Sequence, residues 1–225
     1  GSLEYVLLMQ TLTKLIIEHG LRDRIVRISQ LSSLVGGNEG RLYGLLNRAL
    51  STGELLRLQR GLYILADFFR QNPAHPFSLA NAIMPGSYIS FETALSFHNW
   101  IPEHVQTTAC VVPGRKSQKY VNEKIGNFSF HPLAIKTGSF LELVNRYHVD
   151  GQTMLIAKPC RALMDLICLR KTVWQGMGWL SEGLRIDSDL LRSITKKDFK
   201  ILIQVYKHQR IKSFICSLMD EINYD

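Results

Sequence analysis

The stretch LRLQRGLYIL, Leu56 to Leu65, constrains the fold more than any other segment of the chain. Leu56, Leu58, Leu62 and Ile64 keep the alternate spacing of a half-buried strand pair. Only Gln59, Arg60 and Gly61 separate the two runs. So tight a connection needs a residue that accepts a positive φ, and Gly61 supplies it. Nothing in folding requires an arginine at the tip.

The elements upstream complete a pattern. Residues 3 to about 19 read as a helix, with Val6, Leu7, Met9, Leu12, Leu15, Ile16 and His19 near helical spacing and Gly20 placed to end it. Ser29 is expected to cap a short helix that Gly36 and Gly37 close. Asn38 then caps a third helix whose Leu42, Leu45, Leu46, Ala49 and Leu50 form one apolar stripe. Ser51 to Gly53 break it ahead of the hairpin. Helix, short helix, turn, helix and hairpin is the order of a winged helix-turn-helix, expected over residues 3–72.

Charge says what such a head would meet. The chain of 225 residues carries a formal net charge of +8, with a pI near 9.4, a balance that favours polyanionic partners. Arg22, Arg24, Arg27, Arg41, Arg48, Arg57 and Arg60 fall in a segment without a lysine, against Asp23, Glu39 and Glu54. With the apolar stripe of the third helix turned inward, Arg41, Gly44, Asn47 and Arg48 occupy its outer face. Arginine reads guanine edges bidentately, asparagine pairs with adenine, and a glycine permits close approach. The third helix, from Asn38, is therefore expected in a major groove, with Arg57 and Arg60 of the hairpin on phosphates or the minor groove. The competing reading is a solvated helix face beside a charged turn.

FRQNPAHPF, Phe69 to Phe77, interrupts the periodicity with two prolines and marks a boundary. Residues 73–225 then read as a mixed α+β domain with a helical C-terminal end. SLANAIM reads as a helix, GSYIS as a strand and FETALSFHNWI as a helix. VQTTACVV and GNFSFHPLAI are β-rich, and TMLIAKPCRALMDLICL passes from strand into a helix at Pro159 or Cys160. Trp174 to Gly183 reads as a loop. Phe199, Ile203, Tyr206, Ile211, Phe214, Ile215 and Leu218 are core candidates of the end. The fold class expected for the whole chain is α+β.

Other chemistry finds no anchor. The seven histidines form no metal-ligand spacing, and no GxSxG elbow or phosphate loop appears. Asp187 and Asp189 read as helix-capping residues, and Arg161 with Asp165 as a structural ion pair on one helix face. No catalytic residue, metal or cofactor is expected. Cys110, Cys160, Cys168 and Cys216 are dispersed and read as reduced, buried thiols of a cytoplasmic protein. No apolar run approaches the roughly 18 residues of a membrane span. A second basic run holds Lys196, Lys197, Lys200 and Lys207. It reads as the solvated side of an amphipathic helix or as an auxiliary phosphate- or RNA-contacting surface.

Taken in order, RGLYIL, SYISFETALSFHNWIPE, VQTTACVV and AKPCRALMDLI resemble the AbiEi family, antitoxin-type regulators of abortive-infection, type IV toxin–antitoxin systems. The resemblance covers roughly residues 3 to 170. It rests on the RGxY hairpin, the Ser-x-x-x-Ala-Leu helix from Ser90 and the Ala-Leu-x-Asp core ending at Asp165. The family often has a glutamate before Arg-Ala-Leu, where this chain has Cys160. The resemblance implies a repressor that binds inverted repeats in its own promoter and counters a nucleotidyltransferase-like toxin without a stable complex. Two other classes stay open: a winged-helix regulator whose C-terminal domain senses a ligand, and a nucleic-acid enzyme steered by the head.

Overall fold

The computed structural model describes residues 8–222. Among them the chain is mixed α+β, with two sheets and a helical C-terminal end, and it divides into two compact units between His75 and Pro76. The expected Val6 and Leu7 of the first helix lie outside the described residues.

In the first unit, α1 (Thr11–Glu18) leads through β1 (Val26–Arg27) to α2 (Ile28–Leu34) and α3 (Glu39–Ser51); β2 (Leu55–Gln59) and β3 (Leu62–Leu65) follow. The three strands pair antiparallel in the order β1-β3-β2. Met9 and Gln10 are not part of α1, because the buried carboxylate of Glu54 accepts the Gln10 N–H at 3.0 Å and holds that residue extended. Gly20, at φ +72°, ends the helix, and Leu21 N–H returns to Ile16 O at 3.0 Å.

Two expectations need correction here. Ser29 is not a cap but lies inside α2: Arg27 holds the cap position, and Gln30 Oε1 accepts its backbone N–H at 2.8 Å, so the helix starts at Ile28, before the serine. The strand pair is not evenly half-buried either. The register shifts between Arg57 and Gln59, so that Leu55 and Leu58 are the buried residues of β2. All four residues of β3 are buried, as befits the central strand. Leu12, Ile16, Val26, Leu31, Leu42, Leu45, Leu46, Ala49, Leu55, Tyr63 and Leu65 form one core.

The second unit carries a six-stranded mixed sheet. After α4 (Pro76–Ile83) come β4 (Tyr88–Ile89), α5 (Phe91–Phe97), β5 (Thr107–Val111), β6 (Gln118–Asn122) and β7 (Gly126–His131). Next are β8 (Val144–Val149), β9 (Gln152–Ala157) and α6 (Pro159–Arg170), and the sheet runs in the order β6-β7-β5-β4-β9-β8. The edge strands β6 and β8 are not apparent from sequence, since their largely exposed side chains erase the apolar alternation. Then come α7 (Met177–Gly183), α8 (Ser188–Arg192), α9 (Lys196–Val205) and α10 (Gln209–Ile222). The expected loop at Trp174–Gly183 thus contains a helix, started by Gly176 at φ +94° and anchored by buried Leu180.

Helix α6 is buried from Cys160 through Cys168, which places Arg161 and Asp165 in the interior at 0% exposure. Arg161 Nε donates to Asp165 Oδ1 at 3.1 Å, and Nη2 donates to Tyr88 Oη at 2.8 Å and Phe140 O at 3.1 Å. Its Nη1 serves the carbonyls of Ser139 and Glu142. Asp165 in turn accepts from Tyr206 Oη at 2.7 Å, Tyr88 Oη at 2.8 Å and Ser90 Oγ at 2.6 Å. Burial opposes the guanidinium charge, yet Asp165, Tyr206 and Tyr88 hold the Arg161 pKa above its ordinary value. Burial, and then Asp165, raise both tyrosines.

Removing one partner strands the other's charge in the interior. Asp165→Ala is expected to cost about 3–5 kcal/mol, and the double replacement Arg161→Met with Asp165→Leu less than that. Urea unfolding followed by tryptophan fluorescence checks this on the second unit alone, because Trp100, Trp174 and Trp179 all lie there.

Candidate nucleic-acid interface

Helix α3 starts where the sequence indicates. Asn38 Oδ1 accepts the Arg41 N–H at 2.9 Å, and Leu42, Leu45, Leu46 and Ala49 are buried. The same periodicity leaves Arg41, Asn47 and Arg48 exposed on the outer face. The space over Gly44 is not open: a Cβ there would stand 3.7 Å from Arg48 Nη1, so the guanidinium lies back along the helix over the glycine. Asn38 has its carbonyl oxygen committed to the cap, which leaves its amide NH₂ as the group available to a partner.

Arg60 and Gly61 form the turn of the hairpin, with Gln59 opposite Leu62 and Gly61 at φ +79°. Gly61 O accepts the Ile28 N–H at 2.9 Å, which fastens the turn to the start of α2. Arg60 is exposed there, and Arg57 is exposed on β2. Exposed Arg27, at the cap of α2 and opposite Leu62, sits beside the same turn. Its charge is visible in the sequence, but only the β1–β3 pairing places it next to Arg60. Tyr43, 54% exposed on α3, is the other residue that sequence reasoning passes over. An exposed aromatic outside the apolar stripe is the signal that points to it.

Two of the three acids of this segment are engaged elsewhere, while Glu39 is exposed in the first turn of α3. Glu54 is buried against Gln10 and Thr52, and Asp23 accepts from Gln71 N–H at 2.8 Å. Among the described residues, no ion pair joins Arg27, Arg41, Arg48 or Arg60 to a carboxylate.

The second basic run is divided. Lys196, Lys197 and Lys200 are exposed on α9, where the Thr195 cap and Asp198 in the first turn offset cations at a helix N-terminus. Lys207 is exposed but off the helix, because the chain turns extended at Tyr206. The expected stripe of Phe199, Ile203 and Tyr206 is therefore Phe199, Leu202 and Val205. Arg210 turns inward and donates to the carbonyls of Ile167, Cys168 and Thr172 at the end of α6.

Other groups have structural duties. Asp187 caps α8 by accepting the Asp189 N–H at 2.9 Å. His98 Nε2 donates to Ala157 O at 2.9 Å, and burial lowers its pKa. Three cysteines are buried as expected, whereas Cys216 is exposed, because it faces out from the amphipathic α10. Burial raises the thiols of Cys168 to about 11 and Cys160 to about 12, far from thiolate character at neutral pH. Among the described residues, no three His, Cys, Asp or Glu side chains are grouped to hold a metal, and no helix is long and apolar enough to cross a membrane.

The two helical motifs of the second unit meet directly, since Ser90 of Ser-x-x-x-Ala-Leu donates to Asp165 of Ala-Leu-x-Asp. No protein-family model matches the chain, and no curated protein matches it.

Asn38 serves the fold as well as any partner. Asn38→Ala is expected to lower stability by about 1 kcal/mol, while Asn38→Ser keeps the cap and most of that stability. Thermal unfolding followed by circular dichroism distinguishes the two variants.

Proposed function

We propose that the first unit is a winged helix-turn-helix that binds duplex DNA, and that the chain is a cytoplasmic repressor and antitoxin of the type IV abortive-infection kind. One observation carries the DNA-binding half. Arg41, Asn47 and Arg48 on α3, and Arg27 and Arg60 at the hairpin turn, are exposed on one small unit, and among the described residues no ion pair joins these arginines to a carboxylate. In this reading α3 enters the major groove with Arg41 and Asn47 toward base edges, and Arg57 and Arg60 hold the backbone. The winged reading draws support from the short helix α2, from α3 and from the hairpin, whose sheet has the order β1-β3-β2.

The antitoxin half rests on the AbiEi resemblance of the motifs from RGLYIL to AKPCRALMDLI. On that reading the operator contains inverted repeats, and the second unit counters a nucleotidyltransferase-like toxin without a stable complex. No catalytic role is assigned to any residue. A second reading, a winged-helix regulator with a ligand-sensing second unit, draws on a 240 Å³ cleft that Glu92, Thr107, Ser129, His131 and Arg170 help to line. Growth rescue on co-expression with the gene beside it separates the two, since a ligand sensor gives none.

Binding of the full chain to its upstream promoter should weaken steeply with salt, with a log–log slope of roughly −0.9 per phosphate neutralised. Arg41→Ala is expected to cost about 1–3 kcal/mol on the specific site and to relax base preference. Arg60→Ala should weaken specific and random duplexes alike. Fluorescence anisotropy on both DNAs measures this, and equal losses from both variants on both DNAs discard the division of roles. Salt-insensitive or absent binding discards the DNA-binding reading.

A further inference from the structure

The 240 Å³ cleft of the second unit lies between one face of the sheet and the helices α5 and α6. Strand register sets its floor. The parallel β5–β7 pairing puts Ala109 beside Ser129, with Thr107 and His131 each two residues along their strands on the same face. The walls come from Phe91 and Glu92 of α5 and from Leu166, Leu169 and Arg170 of α6. The Phe91 ring stands edge-on to the His131 ring, with centroids 5.5 Å apart and planes at 87°.

Two kinds of surface meet there. The helix side offers the apolar faces of Phe91, Leu166 and Leu169, and the strand side offers polar groups that lack partners. Ser129 is only 8% exposed, yet its hydroxyl makes no hydrogen bond among the described residues, and neither does the His131 ring. Thr93, by contrast, spends its hydroxyl on Thr107 O at 2.9 Å and on the Ala109 N–H at 3.0 Å. A nearly buried hydroxyl without a partner is costly, and one that lines a cleft can be met by a ligand.

Charge decides the sign of that ligand. Arg170 Nη2 holds Glu92 Oε1, which neutralises the one carboxylate of the lining and leaves the guanidinium with donors to spare. Lys119 stands directly opposite Ser129 in the β6–β7 pair, on the same face, and among the described residues no ion pair joins it to a carboxylate. Burial, and then Lys119, lower the His131 pKa, so the ring is neutral near pH 7 and offers one N–H. A hydroxyl, an imidazole N–H and a guanidinium together suit a carboxylate. The volume lies below the roughly 300 Å³ at which drug-sized pockets begin, which leaves room for about one ring beside it. An aromatic ring packs on Phe91 edge to face, as His131 already does.

We propose that this cleft binds a small aromatic carboxylate, its ring among Phe91, Leu166 and Leu169 and its carboxylate between Ser129, His131 and Arg170. The inference rests on the ligand-sensing reading of the second unit and gives that reading a ligand class.

Benzoate is the probe, and benzylamine, of similar size and opposite charge, is its control. Proton NMR of the full chain follows the ring signals of His131, assigned by their loss in His131→Gln. Benzoate should shift them saturably, and benzylamine should leave them in place. Ser129→Ala removes a hydrogen bond to the carboxylate and should weaken benzoate by at least about tenfold. Ala109→Leu fills the cleft and should abolish the shift, with circular dichroism verifying that both variants are folded. The absence of a saturable shift, an equal shift with benzylamine, or undiminished benzoate binding in Ser129→Ala overturns the proposal. Promoter binding by the full chain, with and without saturating benzoate, then separates the site from its use. A changed DNA affinity supports both, and an unchanged one discards the sensor while the NMR result keeps the site.

Discussion

A guanidinium and a carboxylate at zero exposure, Arg161 and Asp165, organise the second unit. Withdrawing two such ions from water costs several kcal/mol for each, and the interior accepts them only if every donor and acceptor is met. The chain meets that demand from four directions: β4 sends Tyr88, the residue after it is Ser90, the segment 139–142 lends carbonyls, and Tyr206 closes from between α9 and α10. The tyrosine rings also face the guanidinium, at 5.2 and 5.7 Å. A helix, a sheet and the C-terminal helices are thereby held in one register.

Local structure yields to this demand. Ser90 stands at the N-cap position of α5, yet its hydroxyl makes no cap because it is given to Asp165. The next residue, Phe91, takes φ +55°, a region that bulky side chains rarely enter, and its 3% exposure shows what holds it there: burial of the ring. At the other end, Tyr206 turns extended to reach the same carboxylate, which splits the basic C-terminal run into two helices. A buried ion pair thus decides which lysines share a helix face: Lys196, Lys197 and Lys200 lie on α9, and Lys207 falls beyond its end.

The first unit works by a different economy of charge. Three of its carboxylates are taken up by backbone N–H groups: Glu54 by Gln10, Asp23 by Gln71, and Asp67 by Ala74 at 3.3 Å. These bonds close the unit and keep Arg70 buried against Asp23 O. Among the described residues, no ion pair joins the arginines of α3 or of the turn at Gly61 to a carboxylate. Stability and surface potential come from the same few residues.

The sequence by itself determined what depends on near neighbours. The Asn38 cap, the stripe from Leu42 to Ala49, the glycine turn after Arg60, the Asp187 cap and the helix from Pro159 are each written within a few residues. Their energies are local bonds and a periodic apolar face. The pair at Arg161 and Asp165 was legible as a helix-face ion pair, but not as the centre of a domain. Ser90, Tyr88 and Tyr206 lie 41 to 77 residues from the atoms they bind. The edge strands β6 and β8, the start of α2 at Ile28 and the end of α9 at Val205 were likewise decided only by the tertiary structure. In each, a partner distant in the chain outweighed local propensity, because a buried polar group left unpaired costs more than a misplaced cap or a shortened helix.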